Sequence, residues 1–209
     1  MITGMSRAEK IQGRAIGLVL CLCFQMGTAV ANNYNTDVSL KTVMQALAKK
    51  TYTKVRFIER KSSTMLTDVI QLEGVLDFKP PAYLLKIVLK PHFETFELKQ
   101  GVIYYARGND GRQQLELEQY PVLKSFVTAY TSLLSGRLDR LERDYRVSFT
   151  SKKYIWRVQL FPRAAATQDY ISEIRFDGEG DNVVSIVLLE PGGDTSTTRI
   201  LPGKIVQSK

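Results

Sequence analysis

Side chains that carry catalytic chemistry are scarce in these 209 residues: there is one histidine, His92, one tryptophan, Trp156, and two cysteines, Cys21 and Cys23. A single imidazole cannot assemble a histidine-rich zinc or copper centre. No G-x-S-x-G segment is present to form the nucleophile elbow of a serine hydrolase. No stretch carries oxygen ligands at the alternate positions that a calcium loop requires. Although 29 Lys and Arg exceed 21 Asp and Glu, for a formal charge of +8, the basic residues are dispersed, as at Lys54, Arg56, Lys86, Lys90 and Lys99. That describes a solvated surface, or a face that approaches anionic lipid headgroups, rather than a nucleic-acid stripe. No metal, cofactor or nucleic acid is expected. No internal repeat, low-complexity stretch or linker interrupts the chain, so a single domain is the economical reading.

What is present begins with an export signal. Arg7, Lys10 and Arg14 make a positive n-region, offset only by Glu9, and an uncharged apolar run follows from Ala15 to Phe24. A bilayer span needs about 20 apolar residues, which this run does not reach. Ala29-Val30-Ala31 reads as an A-x-A cleavage site before Asn32. Residues 1–31 are therefore expected to be a cleaved secretory signal peptide, and residues 32–209 the mature domain in the periplasm. Leu20 and Leu22 stand before the cysteines where lipid attachment would want a small residue. Taking 31 residues from 209 leaves 178, with a charge of +6 after the leader's +2 is removed and no cysteine. Such a chain is stabilised by a core rather than by disulfides, and it is long enough to bury one.

Beyond the leader the hydrophobic residues recur mostly with period two, which predicts an α+β chain made mainly of antiparallel strands. One amphipathic helix comes first, with Asp37 as its expected cap and Leu40, Val43, Met44 and Leu47 at helical spacing. Strands are expected at 53–60, 68–79 and 83–90, the last two separated by Pro80-Pro81 and the third ended by Pro91. Leu72, Gly74, Leu76 and Phe78 share one face, and Tyr83, Leu85, Ile87 and Leu89 share another. Lys99-Gln100-Gly101 and Asn109-Asp110-Gly111 read as hairpin turns. Pro121 suits a first helical position, and Leu123, Phe126, Val127, Tyr130, Leu133 and Leu134 follow at three-to-four spacing until Gly136. A short charged helix at 137–143 precedes strands near 144–150, 154–161, 170–177, 182–190 and 195–201, with a turn at Gly178-Glu179-Gly180. Strand 182–190 is apolar on both faces, so something must cover its second face.

The remaining polar candidates are weak. His92, between Pro91 and Phe93, reads as a turn histidine. Glu94 with Glu97 and Glu116 with Glu118 approach paired carboxylates, yet sequence spacing does not put carboxylates in hydrolytic geometry. Asp177, Asp181 and Asp194 adjoin glycine-rich turns, where aspartate serves turn hydrogen bonding. Trp156 alternates with Tyr154 and Val158 and fits core packing, with cavity lining as the alternative. No catalytic or metal-binding residue is expected, and the chain does not read as an enzyme.

After the leader and first helix come F-x-E-x-K (Phe57, Glu59, Lys61) and a G-x-L-x-F strand from Gly74 to Phe78. Then follow a proline turn, a strand ending at Pro91, and a hairpin ending in Gly101-Val-Ile-Tyr-Tyr. Further on stand Leu134-Ser-Gly136, a Trp-centred strand ending Leu160-Phe161-Pro162, and Glu190-x-x-Gly-Gly-Asp194. In this order the motifs, over about residues 37–202, resemble the LolA-like outer-membrane lipoprotein carrier family, in particular a divergent LolA-related branch. The resemblance implies an incomplete, half-open antiparallel β-barrel around a hydrophobic cavity, with helices over the opening. It also implies a monomer that takes acyl chains of a lipoprotein or glycolipid from an inner-membrane exporter to an outer-membrane acceptor, touching membrane surfaces transiently. On this reading the cavity and lid residues are Leu76, Phe78, Leu85, Ile87, Leu89, Phe96, Phe126, Tyr130, Leu133, Trp156 and Val158. One departure matters: carriers of the family have an arginine just before the proline of the strand turn, and here Pro80 stands there, with Lys79 one residue earlier. An arginine-gated handover and a triacylated lipoprotein cargo are therefore not carried over, and a glycolipid or fatty-acyl conjugate is favoured. Two other classes stay open: a periplasmic sensor or scaffold that grips a protein on the same fold, and a lipid-ester hydrolase, which the missing elbow disfavours.

Overall fold

The computed structural model describes residues 37–203 apart from 51, 52, 66, 67 and 82; the expected leader, its cleavage position and both cysteines lie outside the described residues. The chain runs through α1 (Leu40–Ala48), β1 (Thr53–Ser62), β2 (Ile70–Lys79), β3 (Tyr83–Lys90), β4 (Glu94–Lys99), β5 (Val102–Arg107) and β6 (Gln113–Glu116). A single 3₁₀ turn, Leu117–Gln119, leads into α2 (Pro121–Leu134) and α3 (Leu138–Asp144). β7 (Tyr145–Lys152), β8 (Ile155–Pro162), the short α4 (Ala165–Gln168), β9 (Glu173–Glu179), β10 (Asn182–Leu189) and β11 (Thr195–Ile200) complete it.

All eleven strands form one antiparallel sheet in the order β6-β5-β4-β3-β2-β1-β11-β10-β9-β8-β7. It consists of two meanders, β1 to β6 and β7 to β11, joined where β1 pairs with β11 from Phe57↔Ile200 to Ser62↔Thr195. β6 and β7 are left as edges, so the sheet is an open, half-barrel-like wall. Register fixes one continuous inner face. Phe78 lies opposite Leu84, Leu84 opposite Leu98, and Leu98 opposite Ile103. In the second meander Val158 lies opposite Phe176, and Phe176 opposite Ile186. These side chains pack with Val43, Met44 and Leu47 of α1 and Val127, Tyr130 and Leu133 of α2 into one core.

Tyr130 ties the two meanders together: its ring stands edge-on to Phe78 of β2 at 5.8 Å and lies 6.2 Å from Phe176 of β9. Burial pushes its phenol well above the ordinary tyrosine range. A smaller cluster of Phe57, Leu76 and Val88 packs around the β1–β3 floor.

Local differences from the sequence reading have local causes. α1 is capped by Ser39, whose Oγ accepts from the Thr42 N–H at 3.1 Å, rather than by Asp37. Asp37 instead accepts from the Lys153 N–H at 3.0 Å and tethers the helix start to the β7–β8 turn. Gly178 is not turn but strand: a Cβ there would sit 1.9 Å from the Trp156 indole, so the missing side chain makes room for the ring. α4 was not expected, being a single turn with no periodicity to read. In β10 the register shifts between Val183 and Ser185, which brings Val183 into the core on the Ile186 side and leaves Val184 exposed.

Candidate functional site

Between the inner face of the sheet and α2 lie two adjoining cavities. The larger, about 830 Å³, runs from the start of α2 (Tyr120, Pro121, Val122) and the segment after α4 (Tyr170, Ile171) to Ile186 and Leu188 of β10. The smaller, about 260 Å³, is walled by Leu72, Leu76, Leu84, Val88 and Phe96 and roofed by Val127 and Tyr130 of α2. Lys61, Lys86, Leu123, Phe126, Ile186 and Thr198 border both. Phe126, stacked 6.4 Å from Tyr130, stands as a partial partition. At the larger cavity's rim Ile70, Tyr120 and Tyr170 are exposed.

The helix over the cavities is fixed near both ends. Tyr145 of β7 donates to the Ser125 carbonyl at 2.6 Å and its oxygen lies 2.5 Å from Ser125 Oγ. Burial raises this phenol to about 12, against the Ser125 hydrogen bond that pulls it down. At the other end Ser135 Oγ donates to the Pro81 carbonyl at 3.3 Å. The turn at Pro80-Pro81 thus meets the residue that ends α2 through a neutral hydrogen bond.

The floor where the cavities meet is charged. Glu59 of β1 is only 3% exposed. Its carboxylate accepts from Lys86 Nζ of β3 and, at 2.8 Å, from Ser196 Oγ of β11, with Lys61 Nζ 3.6 Å away. Burial alone would raise the Glu59 pKa, but the Lys86 charge and hydrogen bond, then Lys61 and Ser196, outweigh it and hold the carboxyl below its ordinary value. The Lys86 ammonium also lies 5.2 Å from the Phe57 ring centroid. Two lysines share one buried glutamate, so the junction carries a net positive charge. Elsewhere on the lining, Asp194 is held by Ser63 Oγ and the Thr64 N–H, both at 2.7 Å. Glu94 pairs with Arg107 at 3.2 Å, and Glu190 lies at the larger cavity's edge.

Of the residues expected to line a cavity, Leu76, Phe96, Phe126 and Tyr130 do so. Phe78, Leu133, Trp156 and Val158 are on the same side of the sheet but packed into solid core; Trp156 donates to the Gly180 carbonyl at 2.8 Å. Leu85, Ile87 and Leu89 are corrected: they point to the opposite face. Pairing of Phe78 with Leu84 and of Gly74 with Val88 turns Leu84, Lys86 and Val88 inward instead. The expectation failed because Lys86 made its face look solvated, whereas the lysine is paired inside. The sequence reading also missed Glu59 and Lys61 as floor residues, although the F-x-E-x-K spacing places Phe57, Glu59 and Lys61 on one face.

Of the other polar candidates, His92 is exposed between β3 and β4 and Glu118 pairs with Lys124. Glu97 pairs with Arg112, Asp177 with Arg157, and Asp181 with Lys50. Among the described residues no group of His, Cys, Asp and Glu is arranged to hold a metal ion.

Several solved structures are similar in fold. A LolA superfamily protein from Nitrosomonas europaea is 9% identical, with 82% of this chain and 96% of that one covered and a TM-score of 0.45. A DUF1329 family protein from Desulfovibrio piger is 8% identical over 81% of this chain and 92% of that one, with a TM-score of 0.44. An outer membrane lipoprotein-sorting protein domain from Vibrio parahaemolyticus is 5% identical over 81% and 92%, with a TM-score of 0.43. No curated protein sequence matches the chain. The sequence pattern of the family described as outer membrane lipoprotein carrier protein LolA-like, by contrast, matches residues 31–205 and so takes in the whole sheet and the helix over its cavities; the chain belongs to that family.

Proposed function

We propose that this protein is a periplasmic carrier that holds the acyl chains of a lipid or lipidated molecule between its sheet and α2, and ferries them from the inner to the outer membrane. The cavity pair carries this reading. At about 830 Å³ the larger space falls in the size range of ligand sites, the smaller, at about 260 Å³, extends it, and apolar surface dominates the walls of both. Removing a methylene from water contributes about 0.8 kcal/mol. Burial alone can therefore retain a long chain with no nucleophile, metal or cofactor, in keeping with the sparse chemistry of the sequence. Exposed Ile70, Tyr120 and Tyr170 at the rim offer the chain an apolar path in and out. Release requires α2 or the rim to exchange self-contacts for ligand contacts.

The test is native mass spectrometry of the protein purified from the periplasm of cells that export it. Copurified lipid that is lost in a Leu76→Asp variant which still folds supports a carrier. Protein free of lipid, and unable to take up a fluorescent fatty acid, overturns it in favour of a sensor or scaffold on the same fold.

A further inference from the structure

We propose that Lys61 and Lys86 form an anion-recognition site at the junction of the two cavities, selecting an acyl ligand whose polar end is negatively charged, a carboxylate or a phosphate. This deepens the carrier reading and rests on it.

Among the described residues the two lysines are the charged side chains that border both cavities. A group held by them has apolar wall on either side. A lone lysine over a cavity would snorkel to water. Lys86 is instead drawn inward by Glu59, which is itself fixed by Ser196 Oγ. Glu59 neutralises one ammonium and positions it, and the second charge remains. Lys61 keeps about half of its side chain exposed, at 51%, and Lys86 28%, so both retain donors that a ligand can reach. Of the nearby carboxylates, Glu94 on the smaller cavity is paired with Arg107. The Asp194 carboxylate, bonded to the neutral Ser63 and Thr64, stays negative, but it and Glu190 line only the larger cavity, so the positive excess belongs to the smaller-cavity side of the junction. An anionic end seated between the lysines accepts charge-assisted hydrogen bonds, while its chain fills the space under Val127 and Tyr130. A neutral end offers the lysines no charge-assisted hydrogen bond and forgoes that gain.

The measurement is displacement of the neutral dye N-phenyl-1-naphthylamine from the full mature protein by oleate and by oleyl alcohol, which share a chain and differ in end charge. Oleate is expected to displace at about tenfold lower concentration, equivalent to about 1.4 kcal/mol. Lys61→Met should shrink that ratio while leaving the alcohol unchanged, and Lys86→Arg, which keeps a cation beside Glu59, should preserve it. Glu59→Gln removes the neutralising charge and should widen the ratio, an opposite sign that loss of folding cannot mimic. Equal displacement by both ligands in the wild type, or a ratio indifferent to Lys61→Met, overturns the anion site and leaves the carrier standing. If neither ligand displaces the dye, the carrier reading falls with it. Calorimetry with inorganic phosphate alone separates the sources: weak or absent binding supports a lipid end group, and binding as tight as that of oleate means a free-anion site and overturns the proposal.

Discussion

The Lys86 ammonium and the Glu59 carboxylate meet from strands that are not neighbours, β3 and β1, with β2 between them. An unpaired buried charge costs several kcal/mol, so the pair must form for this floor to exist. Because Lys86 and Ser196 keep the Glu59 pKa below its ordinary value of 4.5, the folded state gains from the ionised form above that pH. The gain is lost as pH falls through the depressed folded value. The stability difference between wild type and Glu59→Gln, about 1–2 kcal/mol near neutrality, should therefore shrink steadily below pH 4.5. Urea melts of both proteins across that range measure it; a difference that grows on acidification refutes the assignment.

Gly178 and Trp156 make a tighter constraint. A Cβ on Gly178 would overlap three indole atoms at 1.9 to 2.4 Å, and the ring, 1% exposed and tethered to the Gly180 carbonyl, has nowhere to retreat. Gly178→Ala should destabilise by at least about 1–3 kcal/mol, the usual range for overpacking. It should also shift the emission of the single tryptophan, so thermal melts followed by fluorescence report both effects.

The architecture was readable because alternation, paired prolines and hairpin turns are local signals, and β1 to β11 fall close to where they place them. The cavity was readable only in part. Phe96 and Leu76 alternate cleanly, and Phe126 and Tyr130 fall on one face of a regular helix. β3 is apolar on both sides, so alternation could not choose a face, and a shift of one residue moves the whole set. The deciding fact, that Lys86 finds Glu59 across 27 residues of sequence, is a tertiary contact with no local trace. Trp156 and Leu133 likewise gave no sign of whether they meet a void or a neighbour, since packing and lining use the same residue types.

The face of β3 is testable by near-isosteric changes. Val88 lines the smaller cavity and Ile87 points to the other face. Val88→Thr places a hydroxyl where an acyl chain would lie and should weaken fatty-acid binding roughly fivefold, about 1 kcal/mol. Ile87→Thr should leave it unchanged. Titration of a fluorescent fatty acid into both variants reads the result, and the reverse pattern would restore the outer face as the binding wall.

On the carrier reading, Phe126 would set how much chain the protein accepts. Its ring borders both cavities and is braced by the stack on Tyr130 and by neighbouring Leu123. It therefore limits passage between a space of about 830 Å³ and one of about 260 Å³. Phe126→Ala removes the partition. Because the ring is only half buried against the core, the expected loss of stability is at or below the lower end of the usual Phe→Ala range of about 3–5 kcal/mol. The merged cavity should favour longer acyl chains, while affinity for short chains falls as wall contacts are lost. Displacement midpoints for a series of saturated fatty acids should thus slope more steeply with chain length in the variant. An unchanged slope would mean that chains enter only one of the two spaces, with Phe126 acting as an end wall.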